Sequence, residues 1–288
     1  MDEITEEKLA ASVSELAEQC KQLRSAVNSI DKRLEKVAAQ LEQTRFSVAS
    51  SMQEEYFHRV AANQLGYVET VELVAEKRLS LSRFGDGEFG LLTDPYRSIS
   101  FQRGSIELAR ELRTVLSTHR PSLLVALPGL TSDTYWMTSM ARCWPVLNDV
   151  LPHDRQWGIA SVSRAGAFNT ERERLVNAWR SCWDGQTATV VFGKGSRFEL
   201  IDELFDNVTA DFVYAPPRNA YESLDSIEEE VLAKGNKIVL LALGPAATVL
   251  AARLADKGVQ AIDIGHISAS YKQAFQGGPV PETMPVSS

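Results

Sequence analysis

Two carboxylates one residue apart follow a short apolar run: Asp86 and Glu88, in Arg83-Phe84-Gly85-Asp86-Gly87-Glu88-Phe89-Gly90. In extended backbone, residues i and i+2 share a face, so the pair would aim its oxygens in one direction. Mg²⁺ and Mn²⁺ suit such a pair, because they take few protein carboxylates and keep positions for substrate phosphates. Gly85 and Gly87 would let the backbone bend closely around the ion. The same residues also read as a turn with solvated acids, since Gly-Asp-Gly is ordinary turn chemistry. Residues 85–90 further match G-x-G-x-x-G, the dinucleotide fingerprint. Two features weigh against a nicotinamide-dependent oxidoreductase. Asp86 and Glu88 would repel a pyrophosphate approaching the loop, and the acid wanted about 20 residues on would be Glu107, inside a helical pattern.

Other reactive groups also follow apolar runs. Gly193-Lys194-Gly195-Ser196-Arg197 offers flexible backbone, two cations and Ser196 as a helix N-cap, which makes it a candidate anion site. Leu243-Gly244-Pro245 leads into a helix, with Pro245 suited to the first turn. Asp263-Ile264-Gly265-His266 closes the last apolar run with a carboxylate and an imidazole, and Tyr271 follows. Each has an ordinary structural reading, an Asp–His pair at a strand terminus among them. Their recurrence at successive strand ends favours a phosphate-bearing ligand.

The elements that must position these groups are legible from periodicity. Strands are expected at 80–84, 123–127, 158–162, 187–192, 212–215, 237–243 and 260–264. Helical patterns are expected at 105–117, 171–179, 198–205, 226–233 and 246–257. This alternation implies βαβ units and an α/β fold: a Rossmann-like, mainly parallel sheet with helices on both faces. Ligands of such sheets bind at the carboxyl ends of the strands, where the groups above lie.

Ahead of this domain, Leu9, Val13, Leu16, Cys20, Leu23, Val27, Ile30, Leu34, Val37 and Leu41 alternate in steps of four and three. That is an a/d seam, narrower than the stripe of a surface helix. It predicts a coiled-coil oligomerisation helix over 1–48, a dimer or tetramer of like chains, and a domain over 49–288. A single helix packed on its own domain is the plainer alternative. Residues 47–51 read as a hinge.

Composition narrows the partners. The 288 residues are 44% hydrophobic and carry a net charge of −8, which argues against nucleic acid. Three scattered cysteines suggest neither a disulfide framework nor a zinc site. No segment has the apolar length of a membrane span, and no leader precedes the seam, so an integral membrane protein is not expected and a cytoplasmic one is.

Residues 82–88, the run 243–251 and the segment 262–266, in that order, resemble the GT-D-type glycosyltransferase family. Residues 193–197 and 215–221 resemble two intermediate motifs more loosely. The likeness covers about residues 65–275. It implies a metal-dependent hexosyl transfer, glucose above all, from a nucleotide-sugar donor such as UDP-glucose to a glycan or glycoprotein acceptor. Asp86 and Glu88 would then be the family's D-x-E motif, holding Mn²⁺ or Mg²⁺ and through it the donor diphosphate. Arg83, Lys194 and Arg197 would be phosphate contacts, with Gly85, Gly87, Ser196, Gly244 and Tyr271 lining the substrate. Asp263 and His266 would be the candidates for a base. Relatives tend to carry Ser-Arg-Pro where this chain has Ser163-Arg164-Ala165. A coiled-coil scaffold with a degenerate nucleotide-binding module is the non-enzymatic alternative.

Overall fold

The computed structural model of the protein describes residues 6–281. Residues 1–5 and 282–288, which the two expected domains include, lie outside the described residues. The chain divides between Ser51 and Met52 into two compact units.

The first unit is helical. It forms most of α1 (Glu6–Arg59), and the apolar seam lies in water, with Leu9 58%, Leu23 66% and Leu41 52% exposed. Residues 47–51, expected as a hinge, are helical, as part of α1. Here Ser47 Oγ donates to Gln43 O and Ser50 Oγ to Ser47 O, so both hydroxyls are satisfied inside the helix and do not compete with it.

The second unit holds the sheet. After the end of α1 come α2 (Tyr67–Glu76), β1 (Ser80–Arg83) and α3 (Asp86–Thr93). A small antiparallel hairpin, β2 (Ser98–Ile99) and β3 (Gln102–Arg103), precedes α4 (Ile106–Ser117), β4 (Leu123–Leu127), α5 (Thr134–Val150) and β5 (Gly158–Ile159). Next are α6 (Ala165–Glu171), α7 (Glu173–Trp183), β6 (Thr187–Gly193), α8 (Asp202–Phe205) and β7 (Thr209–Ala215). The chain closes with α9 (Leu224–Lys234), β8 (Ile238–Ala242), α10 (Pro245–Asp256), β9 (Gln260–Asp263) and α11 (Ile267–Gln276). Seven strands form one parallel sheet in the order β5-β4-β1-β9-β8-β6-β7.

Alternate side chains of the buried strands feed two cores. Leu81, Leu124, Val190, Leu240 and Ile262 point to the face covered by α2, α6, α7 and α11, where Trp179, Trp183 and Phe205 stack. On the other face lies α10, whose run of alanines lets it sit close to β1. Thr248 Oγ1 donates to Arg83 O, and Ser82 Oγ to Thr248 O. The chain leaves β1 towards β4 and β5, crosses to β6, and returns through β8 to place β9 beside β1. That reversal is the topological switch point at which an open sheet offers a crevice.

The expected strands all form, with shifted ends: the one at 158–162 shortens to β5 and becomes a 3₁₀ turn at Ala160–Ser163. The hairpin and α3, α5 and α11 are additions. α3 hides behind Gly87 and Gly90, poor helix formers, and α5 behind Pro145 in its interior. The helix expected at 171–179 is two helices, α6 and α7, because Arg172 takes a positive φ of 52° between them.

Candidate active site

The strand–helix junction after β1 is built differently from the extended segment that the sequence suggests. Asp86 and Glu88 are the first and third residues of α3, with Gly85 as N-cap. They leave the helix in divergent directions, since residues two apart on a helix lie on nearly opposite sides. Glu88 folds back and its Oε2 accepts a hydrogen bond from Gly85 N at 2.7 Å, which is half of a capping box. Asp86 instead accepts from the hydroxyl of Tyr135, on α5, at 2.6 Å. The capping pattern wins because it satisfies an amide that the helix start leaves open.

This geometry also bears on the dinucleotide fingerprint. Strand, glycine turn and helix are all present, but the Gly85 amide is occupied by Glu88 rather than presented to a pyrophosphate. Glu107, the candidate ribose acid, is in the first turn of α4.

Arg83 ends β1 and reaches across to β9. Its Nε donates to Asp263 O at 2.8 Å and its Nη2 to Asp263 Oδ1 at 2.9 Å. Its Nη1 donates to Ala160 O and to Ser163 Oγ, at 3.1 and 2.6 Å. The guanidinium thereby ties the carboxyl ends of β1, β5 and β9 together. The side chains of the Arg83–Asp263 pair are only 11% and 5% exposed. Gly265 makes the tie possible. Its φ is +50°, and a Cβ there would collide with Arg83 Nη2. Its amide donates to Asp263 Oδ1 at 3.1 Å.

Asp263 and Glu88 thus lie near one buried cation, Arg83, while Asp86 turns to Tyr135. Burial pushes the Glu88 carboxyl up to about 7, with the nearby Asp263 charge adding to the rise. Asp263 is also raised, by burial first, while Arg83 opposes the shift. The Tyr135 phenol is raised chiefly by its hydrogen bond to Asp86. Asp86 accepts from Tyr135 and Glu88 from Gly85, so the two carboxylates do not share one face as the extended reading expects. Among the described residues no group of three or more His, Cys, Asp or Glu side chains is placed to hold a metal ion.

The remaining expected residues lie around this centre. His266 follows β9 and is the N-cap of α11. Gly244, at the end of β8, has a φ of +59°, and a Cβ there would strike the ring of Phe101. Phe101 belongs to the β2–β3 hairpin, which is latched at both ends. Asn219 N donates to Phe101 O, Arg103 N donates to Asn219 Oδ1, and Ile99 lies over Gly87. Tyr271 turns towards α6, where its ring meets Phe168, and it stacks on Phe275 of its own helix.

The 193–197 loop stands apart. In the sheet, β6 is separated from β1 by β8 and β9, three strand spacings or about 14 Å. Lys194 is exposed, and Arg197 Nη1 donates to Pro281 O at 2.8 Å. Ser196 does not cap a helix: α8 starts at Asp202 with Ile201 as N-cap, and Ser196 Oγ accepts from Phe198 N at 3.4 Å. The segment before α8 is held instead by Phe198 against Phe192 and Phe205.

Three residues at the centre are absent from the sequence-based site: Tyr135, Ser163 and Arg164. Arg164 is exposed, and its charge acts on Asp263. Only Arg164 had a signal in the sequence, a cation shortly after β5, where the strand-end rule applies too. The departure at Ala165 also has a structural reason. Ala165 is the first residue of α6, the position where proline is tolerated and pre-organised but not required.

The family description "Glycosyltransferase GT-D fold" matches residues 81–281. The glycosyltransferase GlyD of Streptococcus pneumoniae serotype 4 is 29% identical over 228 residues, which is 74% of this chain and 28% of that protein. A probable glycosyl transferase, Gly, of Streptococcus gordonii is 28% identical over 227 residues, 73% of this chain and 32% of that one. The chain spans about a third or less of the length of these curated relatives. A solved structure described as domain of unknown function 1792 with a distinct glycosyltransferase fold superimposes with a TM-score of 0.70 at 25% identity, covering 82% of this chain and 87% of that one. A glycosyltransferase from Streptococcus sanguinis does so with a TM-score of 0.68 at 26% identity, over 75% of this chain and 85% of its own.

Proposed function

Because the chain belongs to the family of glycosyltransferases with the GT-D fold, we propose that it moves a hexosyl group, glucose first among them, from a nucleotide-diphosphate sugar such as UDP-glucose to a glycan or glycoprotein acceptor. The observation that supports this reading is the set of acids at the β1–β9 switch point: Asp263 paired with Arg83, and Asp86 and Glu88 in the first turn of α3. An acidic crevice takes a diphosphate only with a cation. Asp86 and Glu88, each with one carboxylate oxygen outside its hydrogen bond to Tyr135 or Gly85, are the residues that would hold Mg²⁺ or Mn²⁺, and that ion would supply a Lewis acid for the diphosphate.

The reaction breaks the bond between the anomeric carbon and a diphosphate oxygen while an acceptor oxygen bonds to that carbon. Negative charge grows on the leaving diphosphate. Fixed positive groups aimed there stabilise the transition state, and Arg164 is the exposed candidate beside Asp263. Arg83 acts by positioning, because four hydrogen bonds already commit its guanidinium within the protein. Asp263 shares that role, since its Oδ1 accepts from both Arg83 and Gly265. His266, half-buried one residue beyond Gly265, is the group assigned to take the acceptor proton.

Calorimetric titration of UDP and UDP-glucose, with and without Mn²⁺, tests the donor site. Wild type is expected to bind only with metal. Asp86→Asn, with an unchanged melting temperature, is expected to lose at least tenfold in affinity, about 1.4 kcal/mol. Equal binding by the variant, or tight binding without metal, would remove Asp86 from the donor site. For His266→Ala, the expected result is retained donor affinity with sugar transfer down by a factor of about 10² to 10⁴.

A further inference from the structure

The first unit leaves one narrow apolar face unpartnered, and its details say what covers it. Leu9, Val13, Leu16, Val27 and Leu34 are all more than half exposed, and Cys20 lies among them at the same spacing. Two such seams together carry on the order of 1,000 Å² of apolar surface, the scale of a stable biological interface. We propose that the occupant is a second copy of this chain, forming a parallel, in-register, two-stranded coiled coil in which the two Cys20 side chains share one core layer.

Three observations choose this arrangement. First, the amino-terminal part of the seam alternates valine or cysteine at a with leucine at d, the pattern of parallel dimers. Second, charge sets the direction. In the parallel pair each charged flanking residue (Arg24, Asp31, Arg33 and Arg45) meets a neutral residue of the other copy. An antiparallel pair overlapping the whole seam would set Arg24 against Arg24 of the other copy and Cys20 against Ile30. Third, charge also sets the number. Leu34 and Leu41 at a, with Ile30 and Val37 at d, would on their own suit a larger bundle. A larger bundle also buries the flanking positions, and Arg24, Asp31 and Arg33 occupy them in that same stretch. Covalent continuity then gives two catalytic units per assembly. This inference is independent of the donor reading.

Sedimentation equilibrium of the full chain at micromolar concentration is expected to give twice 31.8 kDa. An azodicarboxamide oxidant, which takes two protons and two electrons as two thiols become one disulfide, probes the register. Cys143 and Cys182 are buried, so Cys20 is the reporter: wild type is expected to give a covalent dimer, and Cys20→Ser none. Leu16→Lys with Leu23→Lys is expected to give the one-chain mass, with nucleotide binding equal to wild type. A one-chain or four-chain mass for wild type would overturn the proposal. So would cross-linking that fails in wild type, appears in the Ile30→Cys variant and is lost again when Cys20→Ser is added to it, the antiparallel result.

Discussion

Two strand ends on the same edge of the sheet carry similar residues and are built in opposite ways. After β1 and β9, a cation and an acid, Arg83 and Asp263, are buried together and closed over by Gly265. After β6, Lys194 is exposed and Arg197 donates to the carbonyl of Pro281. At the first end the Nε, Nη1 and Nη2 of Arg83 all donate to fixed protein acceptors, so the geometry exists before any ligand arrives. At the second, the Lys194 charge is in water and screened. Composition alone does not separate a centre from its margin. Burial and fixed partners do, because a charge acts strongly only where water is excluded.

The sharpest way to break this contrast is Arg83→Ala. It leaves Asp263 buried without its counter-charge, and a loss of about 3–5 kcal/mol is expected, measured by denaturant unfolding of the full chain. A loss under 1 kcal/mol would mean that the pair does not organise the centre. Next is Gly265→Ala, where a positive φ and the clash with Arg83 combine. A cost of about 1–3 kcal/mol is expected, with weaker metal-dependent nucleotide binding, read by melting and titration in parallel. Smallest is Lys194→Ala. Stability should be unchanged, and nucleotide affinity should fall by no more than about fivefold, under 1 kcal/mol. A drop of a hundredfold would move the loop from margin to centre.

Much of the architecture was legible because burial on both faces leaves a plain trace. β4 and β8 are continuous apolar runs, as doubly covered parallel strands must be. The helices that escaped notice lack such a trace. α3 has glycines at two of its positions, and α5 contains a proline. The hairpin strands are two residues each, too short for periodicity to register. Among the candidate site residues, Arg83, Asp86, Glu88 and Asp263 were visible as reactive groups after apolar runs. Ser163 and Tyr135 were not, because a serine in a turn and a tyrosine on a helix are common everywhere.

By itself the sequence determined the order of the strands along the chain, the a/d seam, the edge of the sheet where the reactive groups collect and the family motifs. Periodicity and residue type are local properties, and these conclusions need nothing more. Only the tertiary structure decided that β9 lies beside β1, because strand order in a sheet depends on crossovers between segments distant in sequence. That adjacency makes Arg83 and Asp263, 180 residues apart, a single buried pair. It also decided that Asp86 and Glu88 diverge on a helix, because the unpaired amide of Gly85 is satisfied by folding Glu88 back onto it.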